Sequence, residues 1–483
     1  MWKRRLDLWM PTYALSSPAR IYNKIVGNNG TRHVIFLVCD HFEPRHGTVR
    51  AEQANERLKL WECEFASFQQ RCRKVLGTSP KHTWFYPPHH GYEHLPHLAR
   101  MTFRGLGEVE LHYHHDGDNS ASLRANLKSA LGEYHKWGLL LESGAYPQTA
   151  FAFIHGDWAL DNSAHGKYCG VNDELTILQE LGCWGDFTMP SANECQTRKI
   201  NSIYYAVDNP DRPKSHDWGK NARVGRASQP GLFMMQGPLG INWHAPRYPR
   251  IENASLTSAN WGRPDRIRKW LDCHVHVRGR PEWIFIKLHT HGAIESDFDA
   301  LFGEKAFAMH RILNQEYNDG ERYCLHYVTA REAYNIAKAA EAGKAGDPSQ
   351  FYDFEIAPYA NAYYCIDAPH HLDCCTRSRL KVSGIDTSHA VQIQIKVGPV
   401  LGLHGRIEAL EIDETIGQIR ISGDEVSGQI ELDVDRQLAV VGIEGGRVLV
   451  SHADGGSTRR LVLMVEKLAI VRFTMDGQDI GRK

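Results

Sequence analysis

Two rhythms of apolar and polar positions run along the chain. Up to residue 328, short apolar runs at 33–39, 82–87, 108–114, 149–154, 184–188, 232–236, 283–289 and 324–328 alternate with longer helix-patterned segments. One of the intervening helices carries clear punctuation, with Asn172 as N-cap, Asp173 and Glu174 in the first turn and Gly182 after the last. Alternation over so long a stretch predicts an α/β fold with parallel strands, most naturally a closed or nearly closed (β/α)7-8 barrel. Beyond it the runs at 391–397, 417–421, 428–434 and 461–465 are short, partly alternating and rich in Val and Ile. Turns at Ser422-Gly423-Asp424, Gly445-Gly446 and Asp454-Gly455-Gly456 separate them, which predicts a smaller all-β, sandwich-like domain. The aromatic residues divide the chain in the same region: every Phe, Trp and Tyr but Phe473 occurs by Tyr364. The expected organisation is an N-terminal extension over 1–30, a barrel over 31–345, a connection over 346–380 and the β-rich domain over 381–483.

Composition narrows the function. Of 483 residues, 42% are hydrophobic and 23% charged, and 56 basic side chains face 57 acidic ones, a formal net charge of −1. That balance argues against a general nucleic-acid binder, which needs a basic excess. No apolar run approaches the roughly 18 residues of a transmembrane segment. The start of the chain lacks the apolar core of a signal peptide, although Trp2, Leu6, Leu8 and Trp9 could lie against a surface. Eleven cysteines, odd in number and without a C-x-x-C repeat, predict reduced thiols in a cytoplasmic protein, peripheral to a membrane at most. Histidine is the anomaly: of 27 in the chain, eleven fall between His33 and His115.

In a barrel of this kind the active site is built at the carboxyl ends of the strands. There the sequence is polar and rich in imidazole. The first run leads into Asp40-His41-Phe42-Glu43, the third into His112-Tyr113-His114-His115-Asp116, the fourth into His155-Gly156-Asp157-Trp158, and the seventh into His289-Thr290-His291. Strand parity puts His112 and His114 on one face, and likewise Lys287, His289 and His291. A divalent ion such as zinc takes three imidazole or carboxylate ligands and an open position, which Asp40, His41, His112 and His114 could supply. A single buried His is as readily a satisfied core residue, so the argument rests on the group. His89-His90-Gly91-Tyr92 could line a sugar site or be a solvated loop. Trp218, Trp243 and Trp261 could stack on sugars, although packing is the commoner fate of Trp. Arg198, Lys199 and Asp208 lie in a long polar segment, and Asp161-Asn162-Ser163 reads as a turn.

These residues resemble the polysaccharide deacetylases of the carbohydrate esterase 4 superfamily, in a divergent branch whose first motif is Asp-His-Phe-Glu-Pro. The resemblance covers roughly residues 30 to 340. It implies a deformed β/α barrel with one divalent metal, zinc or else Co, Ni or Mn, that removes acetyl groups from N-acetylated sugars. By the same resemblance Asp40 is the base, His41, His112, His114 and Asp116 are metal ligands, and His289 or His291 protonates the departing amine. His155, Asp157 and Trp158 stand where the family has its third motif and are expected to bind the carbohydrate substrate, with other polysaccharide-assembly proteins as partners. The Arg of that third motif is not evident here. Two alternatives stay open. One is a glycosidase using a pair from Asp40, Glu43, Asp116 and Asp157. The other is a non-catalytic carbohydrate-binding protein.

Overall fold

The architecture follows from the apolar runs. In a computed structural model all eight are strands, and further short strands join them. The structure describes residues 4–356 except 27–29, 48, 104, 136–138, 143–148 and 228, and the strands named below in 362–474. It divides into two compact units, one of Met1–His97, Leu106–Glu133 and Glu142–Ile356, the other of Leu98–Gly105, Tyr134–Leu141 and Ala357–Lys483.

In the first unit the strands are β1 (Arg32–His41), β2 (His82–Tyr86), β3 (Gly107–Tyr113), β4 (Leu141–Glu142), β5 (Thr149–His155), β6 (Cys183–Asp186), β7 (Ile203–Ala206), β8 (Lys220–Asn221), β9 (Leu232–Met235), β10 (Gly240–Asn242), β11 (Arg250–Glu252), β12 (Trp283–Thr290) and β13 (Tyr323–Tyr327). All but β10 and β11 belong to one sheet of 11 strands, whose main path runs β12-β1-β2-β3-β5-β6-β9-β7-β8. Pairing is parallel from β12 through β9 and antiparallel at β9-β7 and β7-β8. Strand β1 is the hub. It pairs with β12 from His33 to Asp40, with β13 over Arg32–Phe36 and with β2 over Cys39–His41. All ten of its residues are buried, as expected of a parallel strand covered on both faces. Beyond β12, single bridges join Val275 to Phe285 and Arg278 to Arg223, and no continuous ladder closes the sheet among the described residues.

Among the described residues the α-helices are α1 (Leu6–Leu15), α2 (Ser17–Val26), α3 (Ala51–Leu60), α4 (Ala66–Leu76), α5 (Leu95–Phe103), α6 (Ser120–His135), α7 (Glu174–Glu180), α8 (Pro264–Cys273), α9 (Phe298–Leu301), α10 (Glu304–Tyr317) and α11 (Ala330–Glu341), with short 3-10 and π turns besides. Phe36 of β1 meets Trp270 of α8 and His310 of α10 edge-on or tilted. The start of α11 is a capping box, Thr329 with Glu332, and the Thr329 hydroxyl also donates to Glu108 on β3 at 2.6 Å. Of the N-terminal side chains expected at a surface, Trp9 and Leu6 are taken up by the core. Trp9 is fully buried against Ala192, Ile200 and Leu239, with Leu6 and Met10 packed beside it, because an indole gains more from that apolar seat than from water.

The second unit contains β14 (Ala362–Asp367), β15 (Lys381–Ser383), β16 (Gln392–Val397), β17 (His404–Asp413), β18 (Gln418–Asp435), β19 (Ala439–Ala453) and β20 (Thr458–Thr474). They form one seven-stranded sheet, antiparallel except at β15-β17. Two expected turns lie inside long strands instead. Pairing of β18 with β20 shifts register between Ser422 and Ser427, and that of β19 with β20 between Glu444 and Gly446. Glycine at these places serves a bulge, which needs the same backbone freedom as a turn. His370, His371, Cys374, Cys375 and the turn expected at Asp454-Gly455-Gly456 lie outside the described residues.

Two buried ionic groups shape the first unit. Arg266 on α8 grips both oxygens of Glu252 at 2.6 and 2.7 Å and donates to the Ser255 carbonyl at 2.6 Å, which holds the segment that pairs with His289. Asp186 accepts from the Thr188 hydroxyl at 2.6 Å, and burial pushes its carboxyl up to about 7. Replacing Arg266 by Met alone should cost about 3–5 kcal/mol in urea unfolding, because Glu252 is left buried and unpaired, and adding Glu252→Gln should recover part of it. For Asp186 the folded carboxyl keeps its proton where the unfolded one, ordinary value 3.8, gives it up. Stability should therefore fall as pH rises through roughly 4 to 7 and level off above, and Asp186→Asn should remove that slope from the melting temperature.

Candidate metal centre

Because β1, β2, β3, β5 and β12 run in parallel, their carboxyl ends emerge on the same side. The register sets His41 opposite Phe85, Tyr113 opposite His155 and Asp40 opposite Thr290. Side-chain alternation then sorts the residues at the end of β1. His41 and Glu43 turn toward the other imidazoles, and Asp40 turns away.

Glu43, His112 and His114 bring one donor atom each within 4.8 Å of one another. Glu43 Oε1 lies 2.9 Å from His114 Nε2 and 3.7 Å from His112 Nε2, and the two Nε2 atoms are 2.9 Å apart. The second nitrogen of each ring is committed. His112 Nδ1 donates to the Ile154 carbonyl at 2.9 Å, and His114 Nδ1 faces Asp157 Oδ2 at 3.3 Å. Those partners place the ring protons on Nδ1 and leave bare lone pairs on both Nε2 atoms. Two lone pairs and a carboxylate oxygen converging in this way repel unless a cation stands among them. In a metal-free state a proton takes that place: burial opposes charge on His114, yet hydrogen bonds to Asp157 and Glu43 raise it to about 9. Burial likewise pushes Glu43 up, but His112 and His114 overcome it and hold the carboxylate well below its usual range.

Around this triad is a shell of rings. His41 stands 4.8 Å from His112 and 5.0 Å from His291 between centroids, and Trp158 is 5.4 Å from His41. His41 is kept neutral by burial and by the neighbouring imidazoles, and its Nε2 has no hydrogen-bond partner in the structure. The same is true of His289 Nδ1 and Trp158 Nε1. His291 Nε2 is 3.9 Å from Glu43 Oε2, and His89 is 5.0 Å from His114, so the His89-His90 loop belongs to the same neighbourhood. The centre is open on one side: His112 is sealed, whereas the side chains of His114 and His291 are 29% and 30% exposed.

Three of the expected site residues stand apart from the triad. Asp40, expected as the base, is fully buried with its oxygens held by His82 Nε2 at 2.9 Å and the Gly292 amide at 2.6 Å, turned away from the triad. Asp116 is exposed and accepts from the Tyr168 amide at 2.8 Å, because β3 ends at Tyr113 and the chain has turned outward; it joins none of the clusters. His155 is fully buried against His115 and Glu174, out of reach of a sugar. Glu43, not singled out as a metal donor from the strand-end pattern, is the carboxylate that meets His112 and His114, and its spacing of two from His41 was the available signal. Trp218 and Trp243 are exposed. A cavity of about 430 Å³ lined by Lys199, His274, His276 and Arg278 includes none of the centre's residues. No family model matches this chain, and no curated protein matches it.

Glu43→Gln should abolish metal binding at this centre, and Asp157→Asn should weaken it by about 10 to 100-fold through loss of the partner that orients His114. Asp40→Asn should leave metal affinity unchanged. Titration of the metal-free chain with zinc, followed calorimetrically, checks all three.

Proposed function

We propose that this chain is a metal-dependent hydrolase that removes acetyl groups from N-acetylated sugars on a deformed β/α barrel. The observation that carries the reading is the convergence of Glu43, His112 and His114 at a half-open site with both imidazole Nδ1 atoms already committed. Two imidazoles and one carboxylate with a free position are a donor set suited to zinc and to water activation. A divalent ion held there supplies Lewis acidity toward the acetamide carbonyl and a more acidic water.

The chain's own residues do the rest. Asp157 keeps His114 in the tautomer that presents Nε2, and the Ile154 carbonyl does the same for His112. His291, with an exposed edge beside Glu43, takes the proton from the attacking water and returns it to the departing amine nitrogen as the C–N bond breaks. Neutral His41 packs 5.4 Å from the Trp158 ring and keeps the wall of the site uncharged. The number of imidazoles relative to free carboxylates supports hydrolysis of an amide over cleavage of a glycosidic bond.

Acetate release from N-acetylated oligosaccharides is the test. It should vanish on removal of metal and return with zinc, and His291→Ala should lower it by about 10² to 10⁴ while metal stays bound. Release that is indifferent to metal removal, or a fully loaded chain that releases none, would overturn the reading.

A further inference from the structure

A second convergence lies on the other side of the same strand end. His115, which follows the ligand His114, meets His155, Cys169 and Glu174, and one donor atom from each lies within 4.8 Å of the others. The two Nε2 atoms are 2.9 Å apart, and Glu174 Oε1 is 3.2 Å from one and 3.4 Å from the other. The opposite nitrogens again face oxygens. His155 Nδ1 donates to the Gly156 carbonyl at 2.5 Å, and His115 Nδ1 faces Asp118 Oδ2 at 3.2 Å. Glu174 Oε2 is occupied by the Asp161 amide at 2.5 Å, which leaves Oε1 for the cluster. Cys169 Sγ accepts from the Val171 amide at 3.5 Å and donates to the Val171 carbonyl and to Glu174 Oε2, each at 3.6 Å, so without metal it is a thiol whose proton a bound ion would displace. The side chains of His155 and Glu174 are fully buried and that of His115 is 3% exposed.

The segment that closes over this cluster, residues 156–173 between β5 and α7, is strained. Asp157, Trp158, Asp161, Asn162, His165 and Tyr168 all have φ between 52 and 62°, the left-handed region that L-residues occupy only when their surroundings impose it. Ala159, Leu160, Cys169 and Val171 bury its two ends, and the left-handed stretch between them, 161–168, is mostly polar.

We propose that His115, His155, Cys169 and Glu174 bind a second divalent ion of the zinc class, closed off from solvent, that staples this loop. Two imidazoles, a thiolate and a carboxylate make a four-ligand set with no open position, the form of a structural site, in contrast to the half-open triad of Glu43, His112 and His114. A sulfur donor selects against magnesium and calcium. The staple matters to the first centre because the loop begins with Asp157, which faces His114, and Trp158, which packs on His41, His289 and His291. A Cβ on Gly156 would come within 2.4 Å of the His114 ring, so the loop backbone sits flush against that ligand.

The test strips the full-length chain with a chelator and reloads it with Co²⁺ alone. About two equivalents per chain are expected by elemental analysis, with a thiolate-to-cobalt charge-transfer band. Cys169→Ser should remove the band and lower the count to about one, and a His112→Ala/His114→Ala double variant should lower the count but keep the band. A reloaded chain without a thiolate band, or a band that survives Cys169→Ser, overturns the inference. Loss of the band in Cys169→Ser with no metal at the first centre would uphold this site and sink the hydrolase reading instead. If Cys169→Ser does not fold, alkylation of Cys169 in the wild-type chain, read by peptide mass, decides: it should slow on cobalt reloading, and equal rates overturn the site.

Discussion

Parallel pairing through β1 is the constraint on which the rest depends. A strand hydrogen-bonded on both edges and covered on both faces is nearly all apolar until its last residues, where the chain leaves the sheet and can carry polar groups. In this protein those last residues are Asp40 to Glu43; β12 beside them carries His289 near its end, and β3 and β5, reached through β2, carry His112 and His155 near theirs. Without that register His41, His112 and His291 would be three unrelated histidines. With it, they share one neighbourhood.

The consequence is electrostatic. Burying an imidazole is tolerable when it stays neutral and both nitrogens are satisfied, and costly when bare lone pairs face one another. His112 and His114 are held in that unfavourable arrangement by partners that fix their tautomers, and Glu43 adds an anion to it. Such a site is poised for a cation. The same chemistry repeats behind it at His115 and His155, where a thiol and a sealed surround replace the open edge. Consecutive residues thus serve two centres of opposite character, since alternate side chains at a strand end point to opposite sides. The two clusters differ in exposure more than in donor type: His114 is part-exposed, whereas His155 and Glu174 are sealed.

These two centres stand in a fold that needs buried charge elsewhere to keep its shape. Arg266 and Glu252 set the segment against which His289 lies, and Lys287, fully buried, donates to the carbonyls of Phe187 and Met189. Among the described residues no helix is long and apolar enough to cross a membrane.

Periodicity alone was enough to read the eight principal strands, the α/β class and the strand ends that matter, because burial on both faces writes a continuous apolar run into the sequence. Parity within a strand likewise paired His112 with His114. What parity could not decide was which carboxylate completes the set: Asp40, Glu43, Asp116 and Asp157 all lie near strand ends, and only tertiary structure turns Asp40 toward His82, leaves Asp116 in solvent and brings Glu43 to the imidazoles. The pairing of His115 with Cys169 and Glu174 was hidden for the same reason. It joins positions far apart in the chain, and the loop conformation that unites them comes from left-handed residues such as Asp157 and Tyr168, whose side chains announce no such backbone.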